Sequence, residues 1–323
     1  MKNYCTYFDK NFIPQGLALY NSLIETCGDT FVLYILSLDS ITASILESMR
    51  LKNVVLLKEE DLHKFDNRLI KAKNNRSKIE YYYCFTANLL RYIIHNYKNI
   101  NSLAYIDADM FFFKNYDNLL LKYKECDILL VPHNIPDLSN GRFNVCYNHF
   151  KINENGIAAI NWWAEKTLES TELGNGIWGD QKYLDEFPIL FKNVGIIKEK
   201  EFASAPWNIM QCKLSKKNGI ILIDEEPLIC YHFARLLVVN KHFFLPIKRT
   251  YISKDVLNFI YLPYLFSLKK TFTSIKDIVE NYNVNYTKKN FIALIGSIPL
   301  GRLFYVSNKK MYRVGFNLPI AYK

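Results

Sequence analysis

The chain has 323 residues, of which 50% are hydrophobic and 22% are charged. This composition excludes an intrinsically disordered chain, and the length allows one large domain or two smaller ones. Seven cysteines lie far apart without a CxxC pair, so neither a zinc ribbon nor a disulfide framework is indicated, and we expect reduced cysteines in a cytosol. The first residues reach polar side chains too soon for a signal peptide.

The formal net charge of +10 is unevenly distributed. Residues 1–240 carry 27 Lys+Arg against 28 Asp+Glu, a net charge of −1, whereas residues 241–323 carry 14 against 3, a net charge of +11. A neutral body with a basic end argues against a protein that wraps nucleic acid, and we expect no nucleic-acid partner. The pattern indicates instead that the C-terminal segment meets an anionic surface.

Short apolar runs alternate with helical periodicity over most of the chain. Strands are predicted at Asn3–Tyr7, Phe31–Leu38, Val54–Leu57, Leu103–Ile106, Phe111–Phe113, Ile128–Val131, Phe143–Phe150, Ile220–Ile223 and Leu228–Phe233. Helices are predicted at Pro14–Glu25, Ile41–Met49, Ile79–Tyr97, Glu154–Leu168 and Gln181–Phe187. This alternation predicts an α/β fold with a parallel sheet covered by helices.

The segment from about residue 237 to residue 323 differs from the rest, because many aromatic residues lie between its lysines. Its longest uncharged runs, Val256–Leu268 and Phe291–Gly301, have 13 and 11 residues. Both fall short of the roughly 18–20 residues that span a bilayer, so no transmembrane helix is predicted. Two interpretations stay open: a segment that docks on a membrane surface, and a helical cap on the preceding domain with a solvated basic face.

The clearest candidate for chemistry is the sequence Asp107-Ala108-Asp109. It follows the buried strand LAYI and precedes MFFF, and the chain has no other Asp-x-Asp. Two carboxylates at the carboxyl end of a strand can hold a divalent cation, which would neutralise a diphosphate leaving group. The alternative is a strand-end turn with solvated carboxylates.

Two further positions have both a structural and a functional interpretation. His232 is the only histidine inside a long apolar run, and it is either a core histidine or a metal ligand beside the carboxylates. Asp180 and Gln181 follow a glycine-rich turn, so Asp180 is either the N-cap of a short helix or, with Gln181, a polar pair that projects into a cleft.

Other candidate ligand-binding residues are selected for their position in the chain, at the end of a strand, on a helix or in a loop. Thr6, Tyr7 and Asp9 lie at the end of the first strand, where an aromatic ring could stack on a base and a carboxylate could accept hydrogen bonds from it. Arg91 could pair with a phosphate or a sugar, and would otherwise be a surface arginine. Trp207 lies in a loop where it could face a ligand, whereas Trp162 and Trp163 are expected in the core.

These pieces occur in an order that resembles bacterial glycosyltransferases of the GT-A fold, close to glycosyltransferase family 8. The matching stretches are TYFDKNFIPQGLALYNSL, EYYYCFTANLLRYII, AYIDADMFFF, FNVCYNHFKINENGIAAINWW, GDQKYLDEFP, APWNI and EPLICYHFARL. The resemblance covers roughly residues 1–236. It implies a Rossmann-like, mixed and mainly parallel sheet in a catalytic domain over 1–236, with a basic, aromatic extension over 237–323.

The resemblance also implies roles for individual residues, carried over by position. Asp107, Asp109 and His232 would bind Mn²⁺ (or Mg²⁺), and Asp180 and Gln181 would form the catalytic polar pair beside the anomeric carbon. The implied donor-binding residues are Thr6, Tyr7, Asp9, Arg91, Asp107, Ala108, Asn144, Trp207 and Arg235.

The chain departs from the family pattern at two positions. The family often has Asn-x-Gly where this chain has Asn144-Val145-Cys146, and often has a glycine two or three residues after the histidine, where this chain has none. Glycine would allow the backbone to approach phosphate closely. Arg235 could replace that contact as a phosphate clamp, or the site could be changed or weakened.

The activity implied is transfer of a sugar from a nucleotide-diphosphate sugar, a UDP-sugar, to a hydroxyl of a glycan or lipid-linked acceptor. The process implied is bacterial surface polysaccharide synthesis (lipopolysaccharide or capsule), with retention of anomeric configuration, in the cytoplasm or at the inner face of the plasma membrane. Two alternatives stay open. The missing glycines allow a degenerate, non-catalytic nucleotide-sugar binder. A sugar nucleotidyltransferase would need a glycine-rich basic loop, and TYFDKNF is not one.

Overall fold

The computed structural model of the chain describes residues 1–135, 137–174, 177–240, 242–245, 252–280, 282, 284, 303–307, 310–314 and 321–322. The strands are β1 (Lys2–Phe8), β2 (Phe31–Ser37), β3 (Val54–Lys58), β4 (Ser102–Ile106), β5 (Met110–Phe112), β6 (Ile128–Pro132), β7 (Phe143–Lys151), β8 (Leu173–Gly174), β9 (Ile177–Trp178), β10 (Val194–Ile196), β11 (Leu214–Lys217), β12 (Ile220–Ile223), β13 (Glu226–Pro227), β14 (Cys230–His232), β15 (Leu237–Val238), β16 (Phe243–Leu245), β17 (Leu303–Ser307), β18 (Lys310–Val314) and β19 (Ala321–Tyr322).

Helices connect many of these strands. The α-helices are α1 (Ile13–Cys27), α2 (Ser40–Met49), α3 (Glu59–Phe65), α4 (Arg68–Asn75), α5 (Lys78–Tyr83), α6 (Phe85–Asn96), α7 (Asp117–Lys122), α8 (Glu154–Glu169), α9 (Phe187–Leu190) and α10 (Leu262–Lys276). Gln181–Glu186 and Ile209–Gln211 form 3₁₀-helices, and Val256–Tyr261 forms a π-helix.

The chain divides into two compact units, each assembled from separate stretches. The first comprises Met1–Asp9, Cys27–Ala108 and Asn115–Glu199, and the second comprises Lys10–Thr26, Asp109–Lys114 and Lys200–Lys323. The expected division at residue 236, between a catalytic domain and a basic extension, stays a prediction.

The first unit contains a seven-stranded sheet in the order β10-β6-β7-β4-β1-β2-β3. Strands β3, β2, β1 and β4 run parallel to one another, and β10 runs parallel to β6, whereas β7 is antiparallel to both of its neighbours. The predicted mixed, mainly parallel sheet is therefore confirmed. Strand β1 has β2 on one side and β4 on the other. The direction in which successive strands are added to the sheet therefore reverses between β1 and β4.

The strand sequences explain why this sheet is buried. Strand β2, with the sequence FVLYILS, is apolar on both faces, as expected of a parallel strand covered on both sides. Helices α6 and α8 contribute to the core around Trp163 and Phe85, both of which have no exposed surface. The prediction that Trp163 lies in the core is confirmed, and Trp162 packs edge-on against Phe187 at its margin.

Two predicted helical segments differ from the structure. The single helix predicted over Ile79–Tyr97 is wrong, because α5 ends at Tyr83 and α6 begins at Phe85, with Cys84 between them in helical dihedral angles. Because Cys84 keeps that conformation, the apolar periodicity continues through the junction. Helices α3 and α4 were not predicted, because their sequences EEDLHKF and RLIKAKNN are charged and short.

The second unit has smaller sheets. Strand β14 pairs antiparallel with β5, and His232 lies opposite Met110. The strand predicted over Leu228–Phe233 is confirmed in its central part, where β14 pairs with β5, and the observed strand is shorter than the predicted one. Strands β11 to β13 form one antiparallel sheet and β15 to β19 another.

Helix α10 packs inside the second unit next to the histidine strand. The ring of Tyr264 stacks on Phe233 at 3.7 Å between centroids, and Thr271 donates a hydrogen bond to the carbonyl of Pro14. The uncharged run Val256–Leu268 thus forms the π-helix and the start of α10, whereas Phe291–Gly301 lies outside the described residues. In the part of the chain that the structure describes, no helix combines the length and apolar character needed to cross a membrane. All seven cysteines are free.

Candidate active site

Asp107 follows β4 directly, at the carboxyl end of the strand. Strands β4 and β1 are neighbours, with Cys5 opposite Tyr105, so Asp107 and the end of β1 lie at the same edge of the sheet. The carboxylate is half-buried, and its Oδ1 accepts a hydrogen bond from the hydroxyl of Tyr105 at 2.8 Å. The sheet therefore delivers a fixed carboxylate to the position where open α/β folds bind ligands.

The sequence Asn144-Val145-Cys146, where the family often has a glycine in third place, supports the backbone of Asp107. The amide of Asp107 donates to the carbonyl of Cys146 at 3.0 Å, and the buried side chain of Asn144 accepts from the amide of Cys146 at 2.8 Å. The Cys146 side chain has no exposed surface. The larger residue is therefore accommodated inside the fold, at a place where the register between β6 and β7 shifts, between Asn144 and Asn148.

Asp180 is only 2% exposed, and it lies in the first unit with Asp107. Asp180 occupies the N-cap position of the 3₁₀-helix, but its side chain makes no capping hydrogen bond to it. Its Oδ2 has no hydrogen-bond partner among the described residues. Burial, with a contribution from the charge of Asp107, raises the pKa of Asp180 to about 7.

The backbone around Asp180 is held by its neighbours. The indole Nε1 of Trp163 donates to the Asp180 carbonyl at 2.9 Å. Gly179 has φ of +60°, and a Cβ there would lie 2.6 Å from the ring of Tyr83, so only glycine fits this turn. Gln181 accepts from the amide of Val145 at 3.3 Å through Oε1 and donates through Nε2 to a neighbouring carbonyl at 2.7 Å.

The residues at the end of β1 lie against helix α6 and one another. The Tyr7 hydroxyl lies 3.2 Å from Oγ1 of Thr86, and its ring packs against Phe85 and Tyr105. Burial raises the pKa of both Tyr7 and Tyr105 well above the usual value, so both phenols keep their hydrogen. Thr6 is fully buried, and its hydroxyl has no hydrogen-bond partner among the described residues.

Asp9, just after β1, is engaged by helix α5. It is 7% exposed, and it accepts from Lys78 Nζ at 2.9 Å and from the Tyr82 hydroxyl at 3.3 Å. Neither Lys78 nor Tyr82 was predicted as a partner of Asp9. The available signal was a lysine close to the tyrosines of the matching stretch EYYYCF.

Arg91 is not a surface arginine. Its side chain is 12% exposed, and its guanidinium binds Glu165 at 2.6 Å, Asp66 at 2.5 Å and Asn88 at 2.7 Å. These carboxylates come from the end of α3 and from α8. The arrangement holds α6 to its neighbours in the first unit.

Within the second unit, the carboxylate of Asp109 lies close to the imidazole of His232. Oδ1 of Asp109 lies 3.2 Å from Nε2 of His232. The strand pairing fixes this contact, because the amide of Phe233 donates to the Asp109 carbonyl at 3.0 Å, and the amide of His232 donates to the carbonyl of Ser204 at 2.9 Å. His232 is 6% exposed, so it is a buried histidine beside an acid.

The loop before β11 places an aromatic ring on this histidine. The ring of Trp207 meets the His232 imidazole edge-on, 5.7 Å between centroids and at 90°. The side chain of Asn208 fastens the loop by accepting from the amide of Ala205 at 2.8 Å. Trp207 therefore lies beside the candidate metal ligand His232, and its contact with a donor stays a prediction.

Arg235 takes the backbone conformation that a glycine would favour. Its φ is +60°, and its side chain is exposed. An L-residue costs roughly 1–2 kcal/mol in this region. The backbone bend three residues after His232 is thus present although the glycine is absent.

The donor set suits a hard divalent cation. Asp109 and His232, with Asp107 two places before Asp109 in the chain, make a group of three potential metal ligands. Carboxylate oxygens with one imidazole suit Mn²⁺ and Mg²⁺ better than soft metals. The present contact also permits a direct hydrogen bond from Nε2–H to the Asp109 carboxylate, which a cation would replace. The residues fit such an ion.

Comparison with known proteins gives the family. The model of the family described as glycosyl transferase family 8 matches residues 4–167, half of the chain. The chain belongs to glycosyl transferase family 8. The matched range includes Asp107 and Asp109 and ends before Asp180 and His232. The protein is therefore a glycosyltransferase, as the sequence stretches predicted.

Two relatives and one solved structure are similar to this chain. The uncharacterized protein YfnF of Bacillus subtilis (strain 168) is 30% identical over 252 residues, which are 73% of this chain and 82% of that protein. YfnD of the same organism is 26% identical over 301 residues, 90% of this chain and 96% of that protein. The crystal structure of the glycosyltransferase GlyE from Streptococcus pneumoniae TIGR4 has a TM-score of 0.50 at 13% identity, covering 89% of this chain and 65% of that chain. The predicted GT-A fold class is confirmed.

Proposed function

We propose that this glycosyltransferase uses a UDP-sugar as donor and requires Mn²⁺, or Mg²⁺ in its place. The observation that carries the proposal is the distance of 3.2 Å between Oδ1 of Asp109 and Nε2 of His232. Asp109 lies two residues after Asp107, which follows the end of β4. A half-buried carboxylate beside a buried imidazole, with a second carboxylate two residues earlier, is an expected donor set for a divalent cation. A cation bound there would supply positive charge that stabilises a departing diphosphate.

Within this proposal Asp180 and Gln181 form the catalytic pair. The Oδ2 atom of Asp180 is buried without a partner among the described residues, so a sugar hydroxyl would satisfy it. Gln181 is fixed by two backbone hydrogen bonds and keeps one N–H of its amide for a ligand. Groups fixed in this way hold the donor and the acceptor hydroxyl in a reactive geometry. Retention of configuration is part of the proposal, in keeping with the family resemblance.

The other donor-binding assignments are proposed on position. The residues are Thr6, Tyr7, Asp9, Ala108, Asn144, Trp207 and Arg235. The orphan hydroxyl of Thr6 and the contact of Trp207 with His232 support two of them. Arg91 stays a prediction as a donor contact, since its guanidinium already pairs with two carboxylates.

We also propose a glycan or lipid-linked acceptor in bacterial surface polysaccharide synthesis, with residues 1–236 as the catalytic domain. The net charge of +11 over residues 241–323 supports docking of the extension 237–323 on an anionic membrane face. Co-sedimentation of the full chain with phosphatidylglycerol vesicles should occur at low salt and fall at 0.5 M salt, because salt screens surface charge. Equal binding to neutral vesicles would contradict the docking proposal.

Turnover of nucleotide sugars tests the central proposal. The enzyme is incubated with a panel of UDP-, GDP- and CMP-sugars, with Mn²⁺ or with EDTA, and the released nucleotide is measured. We expect UDP from one or a few UDP-sugars and only with the cation. Release of pyrophosphate would indicate a nucleotidyltransferase. Binding without turnover of any donor, with acceptor extracts present, would indicate the non-catalytic binder.

A further inference from the structure

Strands β5 and β14 hold two of the candidate metal ligands and form a two-stranded sheet among the described residues. Asp109 immediately precedes β5, and His232 is the last residue of β14. One further bridge, from Ser204 to Tyr231, borders the pair. A two-stranded sheet is at best marginally stable by itself and needs another element packed against it. The element that covers this sheet therefore decides how firmly the two ligands are held.

The strand register separates two faces of this sheet. His232 lies opposite Met110. Tyr231 lies opposite Phe111. Directly paired residues point to the same face, and successive residues along a strand point to opposite faces. The imidazole of His232 therefore lies on one face, and the rings of Tyr231 and Phe111 lie on the other. Phe233 belongs with these two rings, since its ring centroid lies 4.8 Å from that of Tyr231.

Helix α10 and the π-helix before it cover the face that carries these rings. The ring of Tyr264 stacks on Phe233, with centroids 3.7 Å apart and planes 15° apart. The same ring meets that of Phe111 edge-on at 5.4 Å. Tyr261, one turn earlier, lies 5.2 Å from Phe233. Tyr264 has no exposed surface, and its ring contacts both ligand-bearing segments at once.

The backbone connects this aromatic contact to both ligands. Phe233 follows His232, and its amide donates to the carbonyl of Asp109 at 3.0 Å. The residue under the Tyr264 ring is therefore the residue that links the two segments. Phe111, on the other segment, lies two positions after Asp109. Loss of the Tyr264 ring would release both segments, and with them the 3.2 Å spacing between Oδ1 of Asp109 and Nε2 of His232.

We propose that Tyr264 is a positioning residue for the cation site, through which helix α10 of the extension 237–323 holds the two ligand-bearing segments together. This inference rests on the proposed function, because it assumes that Asp109 and His232 bind the cation. All of these residues belong to the second unit.

The ring of Tyr264, and not its hydroxyl, carries the role. The hydroxyl is buried and has no hydrogen-bond partner among the described residues. Removal of a hydroxyl that makes no hydrogen bond should leave the site unchanged, so phenylalanine should replace this tyrosine. An aliphatic side chain should loosen the site, because it cannot stack on Phe233. Partners that orient metal ligands typically contribute 10–100-fold to metal affinity.

A second buried ring on the same helix supplies the matched control. Phe272 is 4% exposed, and its ring lies 6.1 Å from that of Tyr282. Phe272→Leu removes a buried ring from α10, as Tyr264→Leu does, but it removes no ring contact with Phe111 or Phe233. Any effect that the two substitutions share is an effect on α10 as a whole.

The experiment measures Mn²⁺ affinity of the full chain by electron paramagnetic resonance without nucleotide, after thermal unfolding in EDTA has confirmed that each variant is folded. Tyr264→Leu should weaken Mn²⁺ binding by about 10-fold or more, with Tyr264→Phe and Phe272→Leu within about 2-fold of wild type. Should Tyr264→Leu fail to fold, Phe111→Leu makes the test from the partner ring and should weaken Mn²⁺ binding by about 10-fold.

Three results would overturn the inference alone. They are wild-type Mn²⁺ affinity in folded Tyr264→Leu (or in Phe111→Leu, where that variant stands in), an equal loss of affinity in Phe272→Leu, and a loss in Tyr264→Phe as large as in Tyr264→Leu. The wild-type protein and Asp109→Asn distinguish these results from a failure of the proposed function. Absence of Mn²⁺ binding in wild type, or equal binding in Asp109→Asn, would overturn the cation site and this inference with it.

Discussion

Replacement of Asp180 by asparagine should stabilise the metal-free protein at alkaline pH. The carboxyl is 2% exposed, and burial is the main cause that raises its pKa from 3.8 to about 7. In the unfolded chain the group ionises near pH 4. Between pH 4 and 7 the folded protein holds a proton that the unfolded chain has released, so wild-type stability falls as pH rises through this window.

The size of the effect follows from the two pKa values. A difference of about three pH units corresponds to roughly 4 kcal/mol of unfolding free energy, present in full above about pH 8. Asparagine cannot ionise and is close to aspartate in size. The difference between Asp180→Asn and wild type should therefore grow from near zero at pH 4 to roughly 4 kcal/mol in favour of the variant at pH 8.

Urea denaturation in EDTA buffer at pH 4, 6 and 8 measures this difference. Asp137→Asn is the control, because Asp137 is exposed and the amide of Ser139 lowers its pKa, which gives a change of opposite sign. Activity of Asp180→Asn should be lost at every pH, as is common where function costs stability. Identical stability of wild type and Asp180→Asn at pH 8 would refute the buried, raised-pKa carboxyl.

Three other substitutions test the frame around the site. Gly156→Ala places a Cβ 2.0 Å from the Lys151 carbonyl oxygen, so the free energy of unfolding should fall by at least about 3 kcal/mol, as in a severe core clash. A urea midpoint within roughly 0.3 M of the wild-type midpoint would contradict this. Arg91→Met should cost about 1–2 kcal/mol, since it removes hydrogen bonds to Asp66, Glu165 and Asn88 while Arg68 still pairs with both carboxylates; unchanged stability with a raised donor KM would show a ligand-binding arginine instead. Trp163→Phe removes the hydrogen bond to the Asp180 carbonyl and should lower kcat more than it changes KM; a pure KM effect would contradict a role in holding that loop.

The sheet could be predicted because its strands carry a simple pattern. The buried run at Phe31–Ser37 and the LAYI strand before Asp107 are apolar on both faces, and a parallel strand covered by helices requires this. The segment Lys58–Asn75 was missed because its helices are stabilised by ion pairs, such as that of Lys73 with Glu59, rather than by an apolar stripe.

The candidate site was predictable in part. Asp107 and Asp109 form a short motif, and position after a strand is a physical reason to select them. The sequence predicted the N-cap position of Asp180, but not that its side chain would be buried without a capping hydrogen bond. That burial comes from tertiary packing of segments distant in sequence, which local patterns do not show.

The most direct test of the account is calorimetric binding of UDP to the wild-type protein and to Asp109→Asn, each with Mn²⁺ and with EDTA. If Asp109 and His232 hold the cation that meets the diphosphate, wild type should bind UDP at least about 10-fold more tightly with Mn²⁺, a difference of about 1.4 kcal/mol. Asp109→Asn should lose that gain while unfolding at the wild-type temperature in EDTA. Equal UDP affinity with and without Mn²⁺ in wild type, or an undiminished Mn²⁺ effect in Asp109→Asn, would contradict the account.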